Sequence, residues 1–138
     1  MLLDTRALLW LVRGEFRTEA AIAAVRAAQD EGRLHVSAVS AWELGVAELK
    51  RRDRPELGMP AVRWFRQALA LTGARLATVS VAVAAEASAV PAVYGSGDPG
   101  DCFIIATARV RRLPVVTRDG RMLALAASAP DYLEAVEC

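Results

Sequence analysis

Hydrophobic and polar positions alternate along the chain in a way that predicts short strands separated by helices. Val39, Trp42, Val46 and Leu49 recur at i, i+3, i+7 and i+10, a spacing that places apolar side chains on one helix face. Brief apolar runs bounded by turn residues predict buried strands. The pattern predicts strands at 1–3, 34–36, 75–79, 113–117 and 132–136, and helices at 5–12, 18–30, 39–49, 61–71, 80–90 and 98–112, with a short helix starting at 119.

The alternation of strands and helices predicts an α/β fold. Each strand–helix–strand unit makes a right-handed crossover, so the strands form a parallel sheet between helical layers. We expect residues 91–97 to be a loop and residues 50–55, a run of mostly charged side chains, to be a turn. The chain has 138 residues and no repeat, low-complexity segment or linker, so we predict a single domain over 1–138.

Composition narrows the classes of function. The 17 basic and 16 acidic residues give a net charge of +1, so any RNA-binding surface must be a local patch. Lys50 is the only lysine; arginines suit bidentate phosphate contacts, although a GC-rich genome produces the same bias. Cys102 and Cys138 do not indicate a disulfide framework, which favours a reducing compartment. The N-terminus lacks the features of a signal peptide and no apolar run approaches the roughly 20 residues of a membrane span, so we expect a cytoplasmic protein.

Four acidic residues follow predicted strands and are the candidates for chemistry. Asp4 and Asp119 come just after strands, whereas Glu43 and Asp101 lie near the starts of helices. Because ligands bind beyond the carboxyl ends of parallel strands, this topology can bring all four acids to one sheet edge. Carboxylates are hard oxygen ligands for Mg²⁺ or Mn²⁺, and such ions can activate water for attack on a phosphodiester.

Each acid also has a structural interpretation. Ser40 and Glu43 fit a capping box, in which Glu43 only bonds backbone. Asp98 and Asp101 fit the N-cap and N3 positions of a helix, and Asp119 fits a turn or a cap before glycine. Asp4 fits the end of a strand.

The segments around these acids resemble the PIN-domain ribonucleases, in particular the VapC-type toxins of type II toxin–antitoxin pairs. The resemblance is carried in order by Met-Leu-Leu-Asp-Thr at 1–5 with Ala-Leu-Leu-Trp at 7–10, Ser-Ala-Val-Ser-Ala-Trp-Glu-Leu at 37–44, Gly-Asp-Pro-Gly-Asp at 97–101 with Ile-Ile-Ala-Thr-Ala at 104–108, and Leu-Pro-Val-Val-Thr-Arg-Asp at 113–119. It implies a PIN-like three-layer α/β/α fold and an Mg²⁺- or Mn²⁺-dependent endoribonuclease. It also implies an RNA substrate, a cognate antitoxin and a homodimer.

The resemblance assigns roles to particular residues. The metal-binding, catalytic acids would be Asp4, Glu43, Asp101 and Asp119. Supporting positions near the metal would be Thr5, Asp98 and Thr117. Each also has a structural explanation: Thr5 fits a helix start, Asp98 a helix cap and Thr117 a strand end. Two residues depart from the family pattern, Arg6 where histidine is common and Cys102 where arginine is common, and the histidine common before the third motif is missing.

Other residues have competing interpretations. Arg118 and Arg121 flank Asp119 and are candidates for RNA-phosphate contacts. The charged run at 50–54 could contact RNA or a partner, although a solvated helix end is its default interpretation. The single histidine, His35, fits a strand residue, and Cys102 fits either a packed side chain or a thiol activated by a helix start. The tryptophans fit packing better than base stacking.

Two other functions remain open from the sequence. A phosphoacceptor domain also uses acids and Mg²⁺ at a sheet edge, but it needs a second acid after the first strand and a lysine after a late strand. Neither is present. The alternative that we retain is a non-catalytic PIN-fold module for RNA binding or dimerisation.

Overall fold

The fold was obtained as a computed structural model, which describes residues 1–50, 52 and 54–138. Part of the predicted charged turn, Arg51 and Asp53, lies outside the described residues. The described part of the chain forms five strands and seven helices: β1 (Leu2–Leu3), α1 (Thr5–Arg13), α2 (Glu19–Asp30), β2 (His35–Ser37), α3 (Ala38–Glu48), α4 (Ala61–Thr72), β3 (Arg75–Ala77), α5 (Val81–Tyr94), α6 (Pro99–Arg111), β4 (Val115–Thr117), α7 (Gly120–Ser128) and β5 (Ala135–Glu137).

The strands form one parallel sheet in the order β3-β2-β1-β4-β5. Leu2 of the central strand β1 is in register with His35 on one side and Val115 on the other. All five strands therefore point the same way, and their carboxyl ends meet at one edge. The predicted α/β/α class with a parallel sheet is confirmed.

Alternating side chains of the sheet divide the interior into two cores. Leu3 and its register partners Val36 and Val116 lie in a core completed by α1, α2, α3 and α4. Leu2 and its register partner Val115 lie in a second core completed by α5, α6 and α7. Successive strand residues point to opposite faces, so one short strand serves both cores and the sheet is the middle of three layers.

Side chains cap two of the helices at the residues where the sequence predicted those helices to begin. The hydroxyl of Thr18 accepts a hydrogen bond from Ala21 N at 3.1 Å, and that of Ser80 accepts one from Val83 N at 3.3 Å. Within the described residues, every helix is too short or too polar to cross a bilayer.

The predicted loop 91–97 was wrong for residues 91–94 and correct for residues 95–97. The segment was predicted as a loop because proline lacks the N–H that continues a helix. Helix α5 instead continues through Pro91 to Tyr94, since Val90 and Tyr94 are buried against α6 in the second core. The helix ends at Gly95, whose positive φ of 70° allows its N–H to reach Pro91 O at 3.0 Å. The strands also begin or end one to three residues away from the predicted bounds.

Candidate functional site

Two of the candidate acids stand at the carboxyl ends of neighbouring strands. Asp4 follows β1 and caps α1, accepting a hydrogen bond from Arg6 N at 3.0 Å. Asp119 follows β4 by two residues and caps α7, accepting bonds from the N–H groups of Arg121 and Met122, each at 2.9 Å. The predicted cap at Asp119 is therefore correct, and because β1 pairs with β4 the same geometry places both carboxylates at one edge.

The third acid, Asp101, lies in the first turn of α6. The N-cap of this helix is Asp98, as predicted, and its Oδ1 accepts bonds from Gly100 N at 3.0 Å and Asp101 N at 3.3 Å. Capping by Asp98 leaves the side chain of Asp101 available for other contacts. The N-terminal end of a helix also carries partial positive charge, which favours acids there.

The fourth acid, Glu43, is not part of a capping box, so that interpretation of the sequence is wrong. Helix α3 already begins at Ala38, because Ser37 at the end of β2 caps it by accepting a bond from Val39 N at 3.2 Å. Glu43 is consequently well inside the helix. The hydroxyl of Thr5 contacts the Glu43 carboxylate and lies 2.7 Å from Ser40 Oγ, so it fixes Glu43 from the neighbouring helix.

Gly100 allows α6 to approach Glu43 closely. It is buried, and a Cβ atom built on it would lie only 2.5 Å from Cδ of Glu43 and would overlap the carboxylate. Any other residue at this position would displace either Glu43 or the first turn of α6. Gly100 belongs to the third motif, at 97–101, but the motif alone does not predict this close contact.

Two hydroxyl groups link the acids to one another. Thr117 donates a hydrogen bond to Asp4 Oδ2 at 2.7 Å and accepts one from Asp119 N at 2.9 Å. The hydroxyl of Tyr94 lies 2.9 Å from Asp101 Oδ2 and 3.3 Å from Asp119 Oδ1. Thr5 and Thr117 therefore contact the acids, as expected for supporting residues. Tyr94 was missed because it fell in the segment that was predicted to be a loop.

The four acids line one open cleft of about 610 Å³ at the carboxyl edge of the sheet. Asp98 and the cationic residues Arg6, Arg13, Lys50 and Arg118 line it as well. The topology has therefore brought together residues that are far apart in sequence, as predicted. A cleft of this size and polarity admits an extended polar ligand.

Burial and mutual repulsion make negative charge costly in this cleft. Desolvation raises the pKa of Glu43 to about 7. Repulsion from Asp4 and Asp101 adds to this rise, and the hydrogen bond from Thr5 opposes it. Desolvation likewise raises the pKa of Asp101 to about 6, and it raises the pKa of Asp4. Among the described residues, ion pairs join Arg33 to Glu31 and Arg109 to Glu86 and none involves the four acids. The cations that line the cleft therefore form no close ion pair with these acids in the described part of the chain, although the charge of Arg6 lowers the pKa of Asp4.

The arginines near the cleft differ in what they contact. The guanidinium of Arg118 donates to the carbonyls of Glu15 and Cys138 and lies 4.1 Å above the ring of Trp10. It is thus engaged within the protein rather than extended towards solvent. Arg121 and Arg6 are both exposed, and Arg6 lines the cleft.

The chemistry of the cleft suits a hard divalent cation, although its carboxylates do not form a closed cage. In the described part of the chain, no group of three His, Cys, Asp or Glu side chains is arranged to hold a metal ion. Asp101 and Asp119 each use one oxygen in hydrogen bonds to described residues, which leaves the other oxygen without such a bond. Both oxygens of Asp4 accept hydrogen bonds, and Glu43 contacts Thr5 with one oxygen and packs against Gly100 with the other. Mg²⁺ usually keeps several water ligands and uses only one or two carboxylates, so this donor set fits such an ion.

The remaining candidates are structural. His35 lies in β2 as predicted, with Nδ1 2.9 Å from Arg33 O. Cys102 is buried in the second core, and burial raises the pKa of its thiol, which contradicts activation by the helix start. Trp64 is buried and Trp10 packs against the first core, whereas Trp42 is 52% exposed.

Comparison with known proteins agrees with this fold. A family model of the PIN domain matches residues 1–128, so the chain belongs to the PIN-domain family. A toxin–antitoxin complex from Klebsiella pneumoniae contains a similar chain, with a TM-score of 0.60, 23% identity, and 98% of this chain and 94% of that chain covered. The structure of FitAB bound to an IR36 DNA fragment is also similar, with a TM-score of 0.62, 19% identity, and coverage of 99% and 93%. No curated protein matches the chain.

Proposed function

We propose that this PIN-domain protein is a metal-dependent endoribonuclease that acts as the toxin of a toxin–antitoxin pair. The observation that carries the proposal is the meeting of Asp4, Glu43, Asp101 and Asp119 in one cleft, without an ion-pair partner among the described residues. Membership of a family whose domains are generally metal-dependent nucleases supports it. The retained alternative, a non-catalytic module, gives no reason to keep four carboxylates so close together.

The four acids are the residues that would hold Mg²⁺ or Mn²⁺. Such an ion activates water and offsets the charge that develops on a phosphodiester. The side chains that support the acids have fixed positions. Thr117 holds Asp4 and the backbone of Asp119, Thr5 holds Glu43, and the cap at Asp98 fixes the turn that carries Asp101. This rigid supporting shell suits positioning of a ligand.

RNA contacts in the proposal come from exposed cations that lie two residues after acids of the cleft. Arg121 remains the candidate next to Asp119, and Arg6 takes a corresponding place next to Asp4. The guanidinium of Arg118 is engaged by two backbone oxygens and by the ring of Trp10. Its proposed role therefore changes from a phosphate contact to support of the cleft wall. The guanidinium groups of Arg6 and Arg121 suit bidentate contact with phosphate.

The proposal includes two protein partners, a cognate antitoxin and a second copy of the chain. One similar solved structure is described as a toxin–antitoxin complex, which supports the antitoxin. Trp42 on α3 and Leu49, the residue that follows this helix, are 52% and 84% exposed, and large exposed apolar side chains of this kind suit a protein contact. Light scattering after gel filtration tests the dimer, which should weigh about twice the 14.8 kDa of one chain.

The decisive experiment compares RNA cleavage by the parent protein, Asp101→Asn and Asp131→Asn, each purified without antitoxin. Asp131 is an exposed acid in the loop before β5, so its variant carries the same charge change outside the cleft. We expect cleavage that requires Mg²⁺ or Mn²⁺, stops with EDTA and falls at least about 100-fold in Asp101→Asn, because even outer-shell changes cost 10–100-fold. The Asp131→Asn protein should cleave as the parent does.

Two results would contradict the proposal. Equal cleavage by the parent and Asp101→Asn would show that a contaminating nuclease is responsible. Absence of cleavage on structured and unstructured RNA, together with absence of Mn²⁺ binding by calorimetry, would favour the non-catalytic module.

A further inference from the structure

Tyr94 joins the two acids that come from the latter half of the chain. Its hydroxyl lies 2.9 Å from Asp101 Oδ2 and 3.3 Å from Asp119 Oδ1, although the two acids belong to different helices. Tyr94 itself is the last residue of a third helix, α5. One hydroxyl thus connects three elements behind the two acids that line the cleft.

The position of this hydroxyl is fixed by the packing of the ring. Tyr94 is only 8% exposed, and its side chain belongs to the second core together with Val90, Cys102 and Met122. The turn that carries it is closed by the bond from Gly95 N to Pro91 O at 3.0 Å. The hydroxyl therefore cannot follow the acids if they move, and it acts as a fixed reference point for them.

A phenol suits a place between two carboxylates because it is neutral and carries one proton. That proton points to Asp101 at the shorter distance and can be shared with Asp119 at the longer one. A cationic side chain at this place would compete with a metal ion for the two carboxylates. An apolar side chain would leave the carboxylates to repel one another. The phenol holds the two acids near each other and uses only one oxygen of each.

We propose that Tyr94 is a positioning residue that sets the spacing of Asp101 and Asp119 and thereby the affinity of the cleft for a divalent cation. This inference rests on the proposed function, because it takes the acids as cation ligands. It differs from that function in assigning part of the affinity to a hydroxyl that does not itself need to touch the cation.

The test is a calorimetric titration of Mn²⁺ into the parent protein, Tyr94→Phe and Tyr132→Phe. Phenylalanine keeps the buried ring of Tyr94 and removes only the hydroxyl. Tyr132 is the other tyrosine of the chain and packs against Arg109 at the opposite end of α6, so its variant is a matched control. We expect Tyr94→Phe to weaken Mn²⁺ binding about 10-fold to 100-fold, the usual cost of losing a group that orients metal ligands.

Thermal unfolding separates positioning from general stability. Measured against each variant's own unfolding temperature in EDTA, added Mn²⁺ should raise the unfolding temperature of Tyr132→Phe more than that of Tyr94→Phe. Equal Mn²⁺ affinity in Tyr94→Phe and the parent would overturn the role of Tyr94 and leave the proposed function intact. If the parent itself binds no Mn²⁺, the cation site of the proposed function fails as well.

Discussion

The two ends of helix α6 hold charged groups in different ways. At its N-terminal end, Asp101 shares the cleft with three other acids and receives a neutral hydroxyl from Tyr94. At its C-terminal end, Arg109 pairs with Glu86 at 2.5 Å, donates to Tyr132 O at 2.7 Å and lies 3.6 Å above the Tyr132 ring. Both ends carry partly buried charge, but only the second is neutralised by a neighbouring side chain.

The difference indicates which end serves stability and which serves a ligand. Breaking a partly buried pair leaves one charge without its partner, so the Arg109 end should respond to substitution by unfolding more readily. A cluster of like charges opposes folding and becomes favourable only when a cation joins it. The acidic end should therefore respond to substitution mainly through cation binding and catalysis.

The largest effect on the acidic end is expected from Gly100→Ala. The added methyl group would overlap the carboxylate of Glu43, so one of the two elements must move. We expect RNA cleavage to fall about 100-fold, the upper range for disturbed ligand orientation. We also expect a loss of about 1 to 3 kcal/mol in the free energy of unfolding from overpacking.

Gly97→Ala is the control for this prediction. It makes the same chemical change in the loop before α6, where no described atom lies within 4 Å of an added Cβ. Cleavage assays and urea unfolding should find Gly97→Ala close to the parent. Full cleavage by Gly100→Ala would mean that the contact between Glu43 and α6 is not needed.

A smaller effect, on stability alone, is expected from Arg109→Met at the other end of α6. The change removes the side chain that pairs with Glu86 and donates to Tyr132 O. The side chains of Arg109 and Glu86 are 27% and 29% exposed, so the pair is largely buried. We expect the free energy of unfolding to fall by about 1 to 3 kcal/mol in urea titrations. Mn²⁺ affinity should stay as in the parent. The exposed Arg111→Met is the matched control, and a change in Mn²⁺ affinity in Arg109→Met would contradict the division between the two ends.

The smallest effect is a pH dependence of the metal-free protein. The pKa of Glu43 is raised from 4.5 to about 7, so the folded chain keeps a proton that the unfolded chain releases. The stability gained from this group is complete below pH 4.5 and is lost as pH rises to about 7. Asp101 acts in the same direction, from 3.8 to about 6. In EDTA, the unfolding temperature should therefore be higher at pH 5 than at pH 8.

Glu43→Gln tests the origin of that slope. A neutral amide cannot release a proton, so the variant should show a flatter pH dependence and should be more stable than the parent at pH 8. The exposed Glu134→Gln serves as its control. A parent protein whose stability in EDTA rises from pH 5 to pH 8 would contradict the prediction.

The fold and the four acids could be predicted because local signals carry them. Alternating apolar runs and helical spacing define the order of the elements, and parallel pairing then places Asp4 and Asp119 at one edge. The caps at Asp98 and Asp119 follow from sequence in the same way, since a cap needs only residues a few positions apart. These features depend on short-range chemistry and on one rule of topology.

Local patterns could not predict which side chains contact the acids, because these contacts join distant elements; Thr5 and Thr117 were expected near the acids only from the family resemblance. Tyr94 was not identified because residues 91–94 were predicted as part of a loop. In the structure, burial of the last turn of α5 outweighs the local effect of Pro91. The bond from Thr5 to Glu43 spans 38 residues and that from Arg118 to Glu15 O spans 103. The burial of Gly100 beneath a carboxylate is visible only once α3 and α6 are packed together.

The bond between Thr117 and Asp4 has a consequence for the newly made protein. It joins residues 113 positions apart, one at the end of β1 and the other at the end of β4. A nascent chain can form the helices that follow β1 while it still lacks the strand that completes the acid cluster. Under the proposed function, most of the chain is synthesised before the acid cluster is complete. Nuclease activity would then begin only when β4 enters the sheet, so the ribosome that makes the protein is not exposed to it earlier.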